Sequence, residues 1–374
     1  MKKLFITIGL VLLIFNSPTY AQKEVALEDL QIPSSPAFIL LDVAPTSIER
    51  PTTTKAFSTS ILNSIKENNG IPENYAVDFA PYWFFKHKNL NAMNYWGFEQ
   101  KLLERVQKPF SQARFGSISF ATIKSKMTSD TIGTPLNVNN IALGFRTTLF
   151  QLRSNNDIDE LIKANNLHLT RLDELTVDPT ISPSKLANLL EADTYLKNCN
   201  KRISEILNRK PTLALDFAGA GSWSYDNNYN SIKSNRVGAW LTLNYAQTLD
   251  KPMDINKNDY LNLYFTCRVL NDNNVLGNNG LVYRSTNLDV GGKIEFEFDK
   301  FSISYEYLYR NDLKSNIADN FRSSGLIKYR ASDQLLVTAT FGKNFGNTNN
   351  VITQIGLSLG LNSKSQQVNA DKIQ

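Results

Sequence analysis

The ordering of residues 212–361 constrains this chain more than any other feature. Apolar and polar side chains alternate one by one for about ten to fourteen residues, a turn residue (Asn, Asp, Gly or Lys) interrupts, and the pattern restarts. Successive side chains of a strand point to opposite faces, so such a segment makes a strand with one apolar and one polar face. In 258–270, Leu261, Leu263, Phe265, Cys267 and Val269 oppose Asn262, Tyr264, Thr266 and Arg268. In 235–246, Val237, Ala239, Leu241, Leu243 and Tyr245 oppose Arg236, Trp240, Thr242 and Asn244. In 287–298, Leu288, Val290, Ile294, Phe296 and Phe298 oppose Asp289, Lys293, Glu295 and Glu297. Next, Phe301, Ile303, Tyr305, Tyr307 and Tyr309 oppose Ser302, Ser304, Glu306 and Arg310.

Extended to the whole chain, the rule predicts eleven strands: 74–85, 113–124, 138–151, 212–224, 235–248, 258–270, 287–298, 300–310, 320–330, 334–344 and 350–361. Phe298-Asp299-Lys300-Phe301 and Arg330-Ala331-Ser332-Asp333 read as tight reversals. The segments 271–286, 311–319 and 345–349, rich in Asn, Asp and Gly, read as longer loops that alternate with them. Short turns on one side and long loops on the other are the asymmetry of an outer-membrane barrel. A single-chain bacterial barrel has an even strand number, so about twelve are expected. The extra strand is sought in 36–46 or around Gly280 to Arg284.

Composition hides this architecture. A mean hydropathy of −0.29, with 42% apolar and 20% charged residues, looks water-soluble. It excludes a multi-span helical membrane protein, which needs several apolar runs of about 20 residues. With 21 Phe, 15 Tyr and 4 Trp the chain also has too much core material to be wholly disordered. A membrane barrel averages a lipid face with a lumen face, so its mean stays unremarkable.

Residues 1–21 read as a signal peptide. Lys2 and Lys3 form a basic start, Leu4 to Phe15 is apolar but short for a span, and Thr19-Tyr20-Ala21 ends in small residues. Removing Lys2 and Lys3 leaves 38 basic against 35 acidic residues, a balance of +3 that argues against nucleic acid as a partner. Cys199 and Cys267 fall in a helical segment and mid-strand, which speaks against a disulfide between them.

Two regions have helical rather than strand periodicity. In 55–68, Phe57, Ile61, Leu62 and Ile65 share a helical face. Residues 153–209 read as an inserted α-hairpin, its first helix from Asp157 and its second opened by Ser182-Pro183. The organisation expected is therefore a signal peptide (1–21), an N-terminal segment acting as plug or first strand (22–73), a barrel (74–361) carrying the insert 153–209, and a polar tail (362–374).

The leader, the alternation over 212–361 and the last strand together resemble bacterial outer-membrane β-barrel proteins, porin-like in character. In that class the final strand carries a polar residue, then Gly, then spaced hydrophobic residues read by the assembly machinery. Gln354, Gly356, Leu359 and Leu361 fall at matching positions, although the chain continues to Gln374 and Leu stands where aromatics are usual. The abundance of Asn, Lys and Ile is similar to that of Bacteroidota-type exported proteins. The resemblance implies an all-β antiparallel transmembrane barrel in the outer membrane, with outer-membrane lipid and the assembly machinery as partners.

No catalytic or cofactor motif accompanies the strands. His87 and His168 are the two histidines, HExxH is missing, and the glycines of Gly219-Ala220-Gly221 and Gly291-Gly292 sit inside strand patterns, where Gly marks bends or close approach. The chain is read as a non-enzyme without cofactor or metal. Under the barrel reading Arg268, Lys293, Glu295, Glu297, Glu306, Arg310, Arg322, Lys328 and Arg330 line the bore. They make either a polar channel for small hydrophilic solutes or a salt-bridged filling that conducts nothing. In the second case the insert 153–209 or the N-terminal segment would dock an envelope partner. The aromatics Tyr82, Trp83, Phe84, Phe85, Trp223, Tyr225, Tyr305, Tyr307 and Tyr309 are expected at a membrane girdle rather than as sugar-stacking platforms.

Overall fold

The computed structural model describes residues 25–27, 36–40, 75–85, 92–101, 104–108, 110–128, 135–176, 183–225, 232–249, 259–276, 282–298, 300–313, 320–332, 335–343, 351–359 and 366–368. The elements run β1 (Val25–Leu27), α1 (Pro36–Leu40), β2 (Tyr75–Phe79), α2 (Ala92–Trp96), β3 (Phe98–Lys101), β4 (Glu104–Gln107), β5 (Ser117–Thr128) and β6 (Pro135–Leu152). They continue with α3 (Asn155–Thr176), α4 (Pro183–Ala192), α5 (Thr194–Leu207), β7 (Leu213–Tyr225), β8 (Ile232–Thr248), β9 (Tyr260–Leu276) and β10 (Val282–Phe298). β11 (Phe301–Asp312), β12 (Asn320–Ser332), β13 (Leu335–Lys343), β14 (Val351–Leu359) and β15 (Gln366–Val368) complete the chain.

One 11-stranded sheet dominates, ordered β14-β13-β12-β11-β10-β9-β8-β7-β6-β5-β2 and antiparallel at every step. Its strands correspond one for one to the eleven expected from alternation, with four local corrections. First, the described part of 36–46, Pro36–Leu40, is helical rather than strand. Second, β2 stops at Phe79. Pro81, which has no N–H to give a ladder, opens a 3-10 turn over Pro81–Phe84 instead. Third, most of 271–286 belongs to β9 and β10, while residues 277–281, around Gly280, lie outside the described residues. β9 runs on to Leu276 and β10 starts at Val282. Asn and Asp are poor strand formers, but here the inward ones find partners: Asp272 pairs with Arg236 at 2.8 Å, and Ser285 donates to Asp312 at 2.8 Å. Fourth, the reversal expected at Arg330–Asp333 falls two residues later, where Ser332 pairs with Leu335 after an irregularity. The Phe298–Phe301 reversal is where it was expected.

The edge strands β2 and β14 run in the same direction, since ten antiparallel steps separate them. Direct joining of these edges would be parallel; an antiparallel closure needs one more strand. Among the described residues no ladder joins the two edges. The helix expected at 55–68 and the leader 1–21 lie outside the described residues.

The polarity of the sheet is inverted relative to a water-soluble fold. One register row across four strands contains Tyr245, Leu263, Ile294 and Tyr305, which are 40%, 43%, 39% and 51% exposed. The adjacent row contains Ala246, Asn262, Glu295 and Ser304, at 6%, 0%, 4% and 6%. Apolar side chains face out and polar ones face in, as the alternation predicted. The outward belt continues through Leu143 and Phe145 on β6, Phe296 and Phe298 on β10, and Phe321 and Tyr329 on β12.

Among the described residues the larger hydrophobic core lies at one end. There Trp96 and Tyr95 of α2 pack with Ile158, Leu161 and Ile162 of α3 and with Ile203, Ile206 and Leu207 of α5. The Trp96 indole N–H donates to the Leu207 carbonyl at 3.4 Å, and Arg153 stacks over its ring at 4.1 Å. Burial pulls the Arg153 guanidinium down to about 10, and it donates to the Arg209 carbonyl at 2.7 Å. This end also carries the two-residue β10–β11 and β12–β13 reversals and the last residues of β14. The connection 249–259 is longer than those turns although it lies at the same end, so loop length is sorted by side only in part.

The insert holds three helices where an α-hairpin was expected. Asp193 breaks the second arm and caps α5. Its carboxylate accepts from the Leu196 N–H at 2.7 Å and from Arg171 at 2.8 Å. The backbone bond first, then Arg171, holds the Asp193 carboxyl below its ordinary range. A depressed carboxylate stabilises above its unfolded pKa and loses that contribution as pH falls through the folded one. Asp193→Ala should therefore raise amide exchange over 194–207 at neutral pH, and the difference from wild type should vanish under acid conditions below the usual carboxylate range. Hydrogen exchange followed against pH checks both.

Candidate functional site: the inward polar wall

Parity alone assigns the face of each strand; the register assigns neighbours. Arg268, Asp289 and Arg310 are directly opposite one another on β9, β10 and β11. Arg268 donates its Nε–H to Asp289 Oδ2 at 2.7 Å, and Arg310 donates its Nε–H to Oδ1 at 2.7 Å and Nη2 to Oδ2 at 3.0 Å. Asp289 is fully buried between them, and Arg268 is 6% exposed. A second cluster centres on Glu295, which meets Lys293 at 3.2 Å and Lys328 at 3.1 Å and accepts from the Tyr264 hydroxyl at 3.0 Å. In each cluster one carboxylate serves two cations. Such pairs hold only when every remaining donor is met, since desolvation costs several kcal/mol per ion.

Two further pairs complete the wall. Glu306 meets Arg322 at 3.0 Å. Glu297 binds Lys210, whose ammonium also donates to Asn262 Oδ1 at 3.2 Å. Eight of the nine expected bore residues therefore fall into four contiguous clusters. The ninth, Arg330, lies exposed near the end of β12, where its backbone N–H donates to the Lys300 carbonyl at 2.8 Å. Lys210, Asp289 and the Arg236–Asp272 pair were absent from the expected set. Asp289 and Arg236 had been placed on the polar face; Lys210 follows the helical insert and carries no strand periodicity.

On β5 to β7 the same face of the sheet carries a patch of small side chains. Ser119, Ala121, Ala142, Ala218, Ala220 and Ser222 are buried there. Helix α1 lies against them: Leu40 is 1% exposed and packs with Ala220, Leu270 and Trp240. The Ala37 N–H donates to Ser119 Oγ at 3.1 Å, and Arg236 donates to the Leu40 carbonyl at 3.1 Å. Of the N-terminal roles expected for 22–73, α1 thus takes a position on the inner face and not a place in the sheet.

Tyr305, Tyr307 and Tyr309 face outward along β11, with Tyr307 stacked on Phe321 at 5.6 Å, so they form no stacking platform on the inner wall. Tyr305 and Tyr307 lie well inside the strand rather than at its end. Tyr225 is buried and Trp223 outward near the end of β7. Of the expected assembly-signal residues, Gln354, Gly356 and Leu359 sit opposite Thr340, Thr338 and Leu335 on β13, and Leu361 lies outside the described residues. His168, expected to be exposed or at an interface, is buried on α3 at 2%; His87 lies outside the described residues. Cys199 and Cys267 are separate thiols on α5 and β9. Among the described residues, no helix is long and apolar enough to cross a membrane and no group of three His, Cys, Asp or Glu could hold a metal. No protein-family model matches the chain, and no curated protein is detectably similar to it.

Proposed function

We propose that the sheet closes into an antiparallel barrel of about twelve strands in the bacterial outer membrane and acts as a porin-like passive channel for small hydrophilic solutes. One observation carries this reading: adjacent register rows alternate between exposed apolar and buried polar side chains across β8 to β11. Water penalises that arrangement and lipid rewards it. On this reading the leader 1–21 exports the chain and the final strand is handed to the assembly machinery. With a periplasmic C-terminus, the eight strands from β7 to β14 return the chain to the side where it left the insert, so the helices face the periplasm. Among the clustered wall charges, cations outnumber carboxylates, which favours anionic solutes.

The second reading, a closed barrel that docks an envelope partner through the helical end, draws on the burial of Asp289, Glu295 and Arg268. Purified protein in planar bilayers separates the two. The channel reading expects a current whose reversal potential in a KCl gradient shifts toward the chloride equilibrium value. No current at any voltage, from the full chain and from a chain lacking 36–40 alike, both with heat-modifiable gel mobility, would overturn the channel and leave the closed barrel standing.

A further inference from the structure

We propose that helix α1 is a built-in plug, seated on the inner wall by a patch of small residues, whose release opens the bore; the proposal rests on the membrane-barrel reading above. The seat and the occupant fit closely. A Cβ on Gly144 would come within 2.8 Å of both the Ala37 nitrogen and the Pro36 Cβ, so only glycine allows the helix to lie there. A Cβ on Gly238 would stand 3.2 Å from Leu40 Cδ1. Ser119 meets a donor at the start of the helix, and Arg236 meets a carbonyl at its end.

The occupied wall and the charged wall are different. Ion pairs spanning β9 to β12 fill their side with long side chains, whereas under α1 the sheet presents Ser119, Gly144, Ala220 and Gly238, with Trp240 and Arg236 meeting its last residue. Removing α1 therefore uncovers a strip of short side chains and breaks neither the Asp289 nor the Glu295 cluster. The described contacts that hold α1 are the packing of Leu40 and two clasping hydrogen bonds, which can part and re-form without opening a ladder of the sheet.

The test uses the full mature chain in planar bilayers, with Cys199 and Cys267 replaced by Ala. Ala37→Cys with Ser119→Cys places two thiols within bridging reach, since the Ala37 N–H meets Ser119 Oγ at 3.1 Å, and leaves Gly144 in place. The expected result is a disulfide in the heat-modifiable form, with conductance under oxidant no higher than wild type and rising when the bond is reduced. Deleting 36–40 should raise conductance at least tenfold. Should the deletion fail to give the heat-modifiable form, Gly144→Leu, which fills the seat, carries the same expectation. Failure of the disulfide to form, or wild-type conductance from the folded deletion or Gly144→Leu protein, overturns the plug. A wild type lacking heat-modifiable mobility overturns the barrel reading itself, and the plug with it.

Discussion

Phe265→Arg is expected to lower the stability of the lipid-inserted protein by about 2–4 kcal/mol, the cost of a guanidinium near the bilayer midplane. Phe265 is 55% exposed and lies mid-strand on β9, with outward Leu243 opposite it on β8. The value of this substitution is its sign. On a water-facing sheet, exchanging an exposed Phe for Arg away from any special contact stays within about 0.5 kcal/mol and improves solubility. Urea titration from phospholipid vesicles, read by intrinsic fluorescence, measures the difference between the two variants. A change inside the water-facing range would mean that the outward belt meets water or another protein surface, and the membrane reading would fall.

Asp289→Asn is expected to cost about 3–5 kcal/mol, the usual penalty for leaving buried charges without their counterion. The amide keeps the shape of the carboxylate but removes the negative charge that holds Arg268 and Arg310 together across three strands. Both guanidiniums then stand in a site where Asp289 itself is fully excluded from solvent. Replacing all three by Met or Leu should cost far less, because buried ion pairs exchanged wholesale for apolar groups of similar volume are near neutral or better. The pair of results tells a wall held by charge from a wall merely filled. If Asp289→Asn unfolds at the wild-type midpoint, water reaches the triad and the bore there is wide. In the channel reading the same substitution also strengthens anion preference, which a reversal potential records.

Alternation made the eleven strands legible, and for a physical reason: each is long, and its two faces meet different media. Where that contrast weakens, so does the signal. Asn271 to Asn274 read as a loop because Asn and Asp disfavour strands on average, yet Asp272 is paid back by Arg236 across the ladder. The break at Asp193 was written as Asp followed by Thr, a capping signal obscured by the apolar periodicity on both sides of it. The short β3–β4 hairpin and α1 are too brief to show any period. The site divides in the same way. Parity told which side of the wall a charge would take, and eight of nine expected residues cluster there. Parity says nothing of register, so the transverse Arg268–Asp289–Arg310 row needed the strand pairing to emerge. Lys210 stayed hidden because it is supplied from outside any strand.

The small sheet of β1 and β15 bears on the order in which the molecule is made. Val25 pairs with Val368, so the first and last described elements of the chain are hydrogen-bonded to each other, with β1 lying against α5. Every other ladder joins strands that are neighbours in sequence or are separated by a single local excursion. The meander can therefore grow hairpin by hairpin, while β1–β15 must wait for both ends to arrive, bearing the largest loop-closure entropy in the fold. It acts as a latch closed after the sheet is built, and it is tied to the helical end rather than to the ladder.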